Sequence, residues 1–320
     1  MLTNNINLKN FKILKKNKKI TKLLDDLLNE KSEILNSLSK SYKDSYKKKD
    51  ILRFKKYSNI RLIGMGGSIL GARSIYSFLK KKIKKKIIFK DNFDLEKKSN
   101  KKKLNLIISK SGNTLETIVN SNVLINKSES NIFITENKKS YLFNLAKKLK
   151  AKIIYHNNDI GGRYSVLSEV GMLPAELMGL RVNRFRRFDD LIKNKNFINS
   201  LILNVSNILS LTNKKKFNSV ILNYDTNSTD LFYWYQQLVA ESLGKKGKGI
   251  LPIISHMPKD NHSLMQLYLD GTKENFYTFF YVKNNYSNKI KNNKILSSHS
   301  YLKNKKLNDI KYSQYLSTIK

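Results

Sequence analysis

Residues 59–71 read NIRLIGMGGSILG, a short β-branched run that empties into a glycine-rich turn and then a helical pattern. A strand passing through glycines straight into a helix is half of a βαβ unit, and the theme recurs down the chain. LNLIISKSGNTLET (104–117) is a second strand–turn–helix passage, and KIIF (86–89), NIFIT (131–135) and AKIIY (151–155) are further β-branched runs. Their recurrence at intervals of about 20–27 residues predicts a mostly parallel sheet covered by helices. Farther along, SVILNY (219–224) and NFYTFFYV (275–282) read as strands, with a helix around 229–243 between them. Upstream, residues 21–47 carry Leu at helical spacing with acids early and lysines late, which predicts one amphipathic helix. The charged, Asn-rich stretch near 181–200 reads as the join between two regions, and LNDIKYSQYLSTIK (307–320) reads as a terminal helix.

Length agrees with two regions, since 320 residues at about 150 per domain make roughly two. Sixty-two Lys and Arg against 24 Asp and Glu leave a formal charge of +38, which raises a nucleic-acid or membrane surface as a function. The distribution argues against it. Lysine is spread over the whole length, in runs such as 80–82, 101–103 and 214–216, and only eight residues are Arg. Sequence readers of nucleic acid lean on Arg for bidentate contacts, so these lysines are read as solvated surface. With 40% hydrophobic and 10% aromatic residues the chain is too apolar for a disordered tail. No stretch has the ~18 apolar residues of a spanning helix, and residues 1–16 lack the apolar core of a secretion signal, so a cytoplasmic protein is expected. The absence of Cys removes thiolate chemistry and disulfides.

Three passages carry chemistry. In the first, Gly66, Gly67 and Ser68 open a helix, so backbone N–H groups can face an anion. A dinucleotide fingerprint would need glycine at 69, where Ile69 stands, although Asp91 after the next strand has the look of its ribose carboxylate. A plain tight turn is the other reading. In the second, Ser109, Lys110, Ser111 and Thr114 cluster ahead of a helix, which suits a phosphate monoester without a metal; an ordinary N-cap with Glu three residues on is the alternative. In the third, Gly161-Gly162-Arg163 aims a permanent cation from a turn that a backbone or ligand can approach closely, or is a solvated surface turn.

GMGGSILG (64–71), SKSGNTLET (109–117) and GGRYSVLSEVG (161–171), in this order, resemble the glucose-6-phosphate isomerase (phosphoglucose isomerase) family. QQLVAESLGKKGKGILP (236–252) and MPKDNHSLMQLYLDG (257–271) resemble that family's next two blocks, so the likeness runs from about 55 to 285. It implies an α/β fold of two αβα sandwich (sugar-isomerase, SIS-type) domains, each on a five-stranded parallel core. The expected division is a helical segment at 1–50, a first SIS domain at 51–190 and a second at 191–320. The resemblance also implies interconversion of glucose 6-phosphate and fructose 6-phosphate in glycolysis and gluconeogenesis, by a homodimer with no cofactor, metal or nucleic acid. Carried onto this chain, it makes Gly67, Ser68, Ser109, Lys110, Ser111 and Thr114 the phosphate cradle. Glu241 becomes the base, Arg163 the stabiliser of the enediolate, and His262, reaching from the neighbouring subunit, the group that assists ring opening.

These residue types suit the reaction. A carboxylate with an ordinary pKa near ~4.3 is ionised at neutral pH and can take and return a proton between adjacent carbons. The carbon acid is far weaker, so a cation must meet the developing oxyanion. A histidine near ~6.5 can pass the ring-opening proton. Glu241 also fits as a last-turn residue of an amphipathic helix. His156, His256 and His299 sit in no motif and are read as ordinary, and His256 with His262 lacks a third metal ligand. The family's closing block, of the type F-D-Q-x-G-V-E-x-x-K, has no counterpart here, so the expectation is one complete domain and a second truncated at its C-terminal end. A sugar-phosphate-binding protein without catalysis is the alternative that follows.

Overall fold

The computed structural model describes residues 6–9, 17–94, 102–283 and 286–320. Most of the first sixteen residues and Lys101 therefore lie outside the described residues. Five short strands form a parallel sheet: β1 (Asn59–Ile63), β2 (Lys86–Lys90), β3 (Leu104–Ile108), β4 (Ser130–Thr135) and β5 (Lys152–Tyr155). Their order is β2-β1-β3-β4-β5. Ahead of them lie α1 (Lys18–Asn29), α2 (Glu33–Ser37) and α3 (Lys48–Ile51); between and after them come α4 (Leu70–Leu79), α5 (Leu115–Leu124), α6 (Tyr141–Lys148) and α7 (Glu169–Leu177).

The sheet is apolar on both faces because helices cover both. Leu104, Leu106 and Ile108 turn toward one core with Leu62, Ile132, Leu173 and Leu177. Ile107 turns the other way, toward Ile63, Phe133, Leu142 and Ala146. This period-two division inside a wholly buried strand is what a central parallel strand requires. One polar row crosses the sheet. The register aligns Arg61, Asn105 and Asn131. Arg61 Nη1 donates to Asn105 Oδ1 at 2.9 Å, and Asn105 Nδ2 donates to Asn131 Oδ1 and to Glu129 Oε2, both at 2.8 Å. With its donors and acceptors paired, the row escapes the cost of buried unsatisfied polar groups.

α7 is buried on every side, Pro174 included. That position requires the pairing of its two carboxylates. Glu176 meets Lys55 Nζ at 2.9 Å and the Tyr46 hydroxyl at 3.2 Å, and Glu169 meets His156 and Tyr42. Burial beside these carboxylates pushes the Tyr42 and Tyr46 phenols well above their ordinary range.

Downstream are α8 (Phe188–Ile192), α9 (Lys195–Asn213), β6 (Asn218–Asn223), α10 (Thr229–Leu243), β7 (Leu251–His256), α11 (Met265–Asp270), β8 (Asn275–Phe280) and α12 (Leu307–Ile319). β6 pairs in parallel with β7 and β8, in the order β7-β6-β8. This repeats the winding β2-β1-β3 of the larger sheet.

Three expectations change. The helix expected over 21–47 is broken, because Ser32 caps a new one by accepting from Leu35 N. The stretch near 181–200 is not an open join but holds α8 and the start of α9. β7 lies where no strand was expected; its Pro252 is tolerated because β7 is the last strand on its side of the sheet. The second core has three strands among the described residues, fewer than the five of a complete sandwich. Among the described residues no helix is long and apolar enough to cross a membrane.

Candidate active site

In an open parallel sheet, ligands sit beyond the carboxyl ends of the strands where the winding reverses. In this sheet that point lies between β1 and β3, whose following loops are Gly64–Ile69 and Ser109–Thr114. Asp91, after β2, is not free for a ribose, because Arg73 holds it in a paired contact at 2.7 and 2.9 Å.

The first loop turns through Gly66 at φ +50° and then lays Gly67 directly on the backbone of Gly162. A Cβ at Gly67 would overlap the Gly162 carbonyl and stand 2.6 Å from Arg163 N. The two di-glycine loops thus touch main chain to main chain. Ser68 lies at the end of the turn on this loop.

In the second loop Ser109 is buried, 2.9 Å from the Thr114 hydroxyl, and accepts from Gly112 N at 3.2 Å. Gly112 takes φ +66° against Ser140. Ser111 is exposed and accepts from Asn113 N. Thr114 is the N-cap of α5, yet its side chain makes no cap bond. The hydroxyl cluster is therefore not spent on capping, and the first-turn N–H groups keep their anion-binding capacity. Lys110 Nζ donates to the carbonyls of Asn158 at 2.7 Å and Ile160 at 3.1 Å, and lies 3.6 Å from a Glu136 carboxylate oxygen.

Arg163 and Glu241 come together across 78 residues of sequence. Arg163 Nη1 donates to Glu241 Oε2 at 3.3 Å. The guanidinium is aimed by three neighbours. Its Nε donates to Ser242 Oγ at 3.0 Å, its Cζ lies 4.6 Å from the centre of the Tyr164 ring, and its backbone carbonyl accepts from Trp234 Nε1 at 3.1 Å. Ser242 and the guanidinium also lower the Tyr164 phenol below its ordinary range, the Ser242 bond being the larger cause. Glu241 accepts from Gln237 Nε2 at 2.8 Å, one helical turn back. Gln237 Oε1 is buried without a hydrogen-bond partner. Gln237 and Ser242 escaped the sequence reading, although the i, i−4 spacing of Gln237 from Glu241 was a usable signal.

His262 lies exposed on the turn after β7 and has no side-chain bond to Glu241 or Arg163. His256 closes β7, where its backbone N–H donates to Asp260. His156 is not ordinary: it is buried, with Nδ1 2.6 Å from Glu169 Oε1 and Nε2 3.1 Å from the Ile160 carbonyl oxygen. Among the described residues no three His, Cys, Asp or Glu side chains are grouped to hold a metal.

Residues 26–307 match the family model described as phosphoglucose isomerase. A glucose-6-phosphate isomerase of Methanocaldococcus jannaschii is 38% identical over 246 residues, covering 71% of this chain and 61% of that protein. A probable glucose-6-phosphate isomerase of Methanococcus maripaludis is 33% identical over 265 residues, covering 74% of this chain and 59% of that one. The chain thus spans about three fifths of the length of these curated relatives. Among solved structures, a hypothetical protein of Thermus thermophilus has the same fold, with a TM-score of 0.78 at 22% identity over 94% of this chain and 79% of that one.

Proposed function

The chain belongs to the phosphoglucose isomerase family, and from that premise we propose that it interconverts glucose 6-phosphate and fructose 6-phosphate through a cis-enediolate. The observation that carries the reading is the 3.3 Å contact between Arg163 and Glu241. A carboxylate and a guanidinium that meet across two sheets offer, side by side, the base for the carbon-bound proton and the charge for the oxyanion that its loss creates.

The Ser109–Thr114 loop, with Gly67, Ser68 and Lys110, holds the sugar phosphate at the start of α5. That anchoring spends binding energy far from the reacting carbons on orienting them. The open-chain substrate then lies with C1 and C2 beside Glu241, whose carboxylate removes a proton from one carbon and returns it to the other. Electrons move from the breaking C–H bond into the carbon–carbon double bond and onto the former carbonyl oxygen, which Arg163 meets with an N–H. Gln237 Nε2 keeps the Glu241 carboxylate in place. A second copy of the chain supplies His262 for ring opening, which fits the ring's exposure here and makes the working unit a homodimer. Residues 51–190 and 191–320 are the two units whose junction forms the site. The reaction belongs to glycolysis and gluconeogenesis in the cytoplasm.

A coupled assay of the purified chain tests the reading, with Glu241→Gln as comparison. Turnover by the wild type, lost in Glu241→Gln while fructose 6-phosphate still raises the melting temperature of both, is the expected result. Fructose 6-phosphate that stabilises the wild type without any isomerisation would instead mark a binding protein. Equal turnover in wild type and variant would remove Glu241 from the mechanism.

A further inference from the structure

The turn between β5 and the Arg163 loop is tied by a buried pair that the reaction itself does not use. His156 is 4% exposed and Glu169 is 0% exposed. Glu169 Oε1 takes two contacts, from His156 Nδ1 at 2.6 Å and from Asn157 N at 3.0 Å, and so anchors the start of the turn. The far nitrogen of the same ring, Nε2, lies 3.1 Å from the Ile160 carbonyl oxygen and so pins the turn's end. That carbonyl is also one of the two on which the Lys110 ammonium rests. Immediately after Ile160 come Gly161, Gly162 and Arg163.

Hydrogen-bond chemistry makes the arrangement specific. A carbonyl oxygen can only accept, so Nε2 must carry a proton to bond it. The backbone N–H of Asn157 keeps an acceptor oxygen, not a donor, beside Nδ1. Both ring nitrogens therefore face acceptors, with Nε2–H donating to the Ile160 carbonyl and Nδ1 set against the Glu169 carboxylate. Hydrogen bonds from His156 and from the Asn157 backbone hold the Glu169 carboxyl below its ordinary range against the opposing effect of burial. Lys110 gains in turn. Two of its three N–H groups are fixed by carbonyls, while the Glu136 oxygen at 3.6 Å is beyond hydrogen-bond reach, which leaves one N–H for an anion.

We propose that His156, held by Glu169, is a positioning residue that sets the Ile160 carbonyl and through it the Lys110 ammonium of the phosphate cradle. The inference rests on the reading of Lys110 as a phosphate ligand. His156 touches no substrate; it acts by fixing the carbonyl that aims the ammonium.

The test is calorimetric titration of the full chain with glucitol 6-phosphate, a reduced hexose phosphate that cannot isomerise. His156→Asn keeps a donor near the Nδ1 position for Glu169 and loses the one to Ile160, whereas His156→Gln places an amide near the Nε2 position and keeps it. His156→Asn should weaken binding roughly tenfold, the scale of one charge-assisted hydrogen bond, and His156→Gln should restore most of the loss. Paired with Lys110→Met, His156→Asn should add nothing. Wild-type affinity in His156→Asn, or an undiminished effect in the Lys110→Met background, overturns the proposal. If Lys110→Met alone leaves the affinity unchanged, the phosphate reading fails instead. Nitrogen NMR of histidine-labelled wild type needs no variant to fold: a protonated Nε2 on His156 is expected, and a bare one overturns the proposal.

Discussion

Gly67→Ala is the substitution with the sharpest geometric forecast. The added Cβ would land on the Gly162 carbonyl and 2.6 Å from Arg163 N, where ordinary contact begins near 3.4 Å. All three atoms are main chain, so no rotamer change relieves the clash and the two di-glycine loops must part by roughly 1 Å. Overpacking of this kind costs about 1–3 kcal/mol of stability, which a folded α/β protein tolerates. Activity should suffer more. Arg163 rides on the displaced loop, and a 1 Å misplacement of a reacting group costs about a hundredfold in rate, or close to 2.7 kcal/mol of transition-state stabilisation. The coupled isomerase assay should give a kcat/KM down by about two orders of magnitude, in a protein that still melts cooperatively. Gly161→Ala is the control, because its Cβ meets only Tyr164 ring carbons, the nearer at 3.4 Å, and should change kcat/KM by no more than a few-fold. A folded Gly67→Ala protein within threefold of wild type would refute the claim that loop-to-loop contact sets the site.

Arg163→Lys should lower kcat by about 10²–10³, because lysine lacks the rigid fork whose Nε holds Ser242 while a separate Nη1 faces the reacting oxygen; steady-state kinetics decides. Glu136→Gln removes the carboxylate nearest Lys110 and should lower KM for the sugar phosphate, and a raised KM would contradict the proposed placement of the phosphate. Phe133→Ala deletes a ring that is 1% exposed between β4 and α6 and should cost about 3–5 kcal/mol in chemical denaturation. Tyr42 and Tyr46 hold their protons above the ordinary phenol range when folded. Their contribution is thus complete below pH ~10, where the unfolded phenols are still neutral, and is lost as pH rises beyond it. Melting temperatures taken from neutral to strongly alkaline pH should fall, and less steeply in Tyr46→Phe.

The elements most legible in the sequence are those whose cause is local. β3 announces itself because five consecutive residues are buried by helices on both faces, and such a strand reads as a nearly continuous apolar run broken only by Asn105. β7 does not, because Pro252 sits inside it, which only a place at the limit of the sheet tolerates. The break between α1 and α2 is equally quiet: Leu spacing continues through it, and one serine changes partner from solvent to a backbone N–H. In the site, Ser109, Lys110, Ser111, Thr114 and Arg163 stood out because hydroxyls, glycine and a cation crowd a strand–helix turn. Gln237 and Ser242 stayed hidden, since neither departs from what an amphipathic helix normally carries.

By itself, then, the sequence determined the parallel α/β architecture, through periodicities of two and 3.6, and the chemistry available, through residue types at the strand ends. Which of those residues meet was decided only in three dimensions. The reversal of winding between β1 and β3 sets the Ser109–Thr114 loop beside the Gly67 turn, and Gly67 brings the Arg163 loop into contact with that turn. α10 then delivers Glu241 to Arg163 across 78 residues. The pairing of His156 with Glu169 has the same origin. A histidine in no motif and a glutamate at the start of a helix acquire their meaning when folding removes both from water, because a buried charge must find its partner.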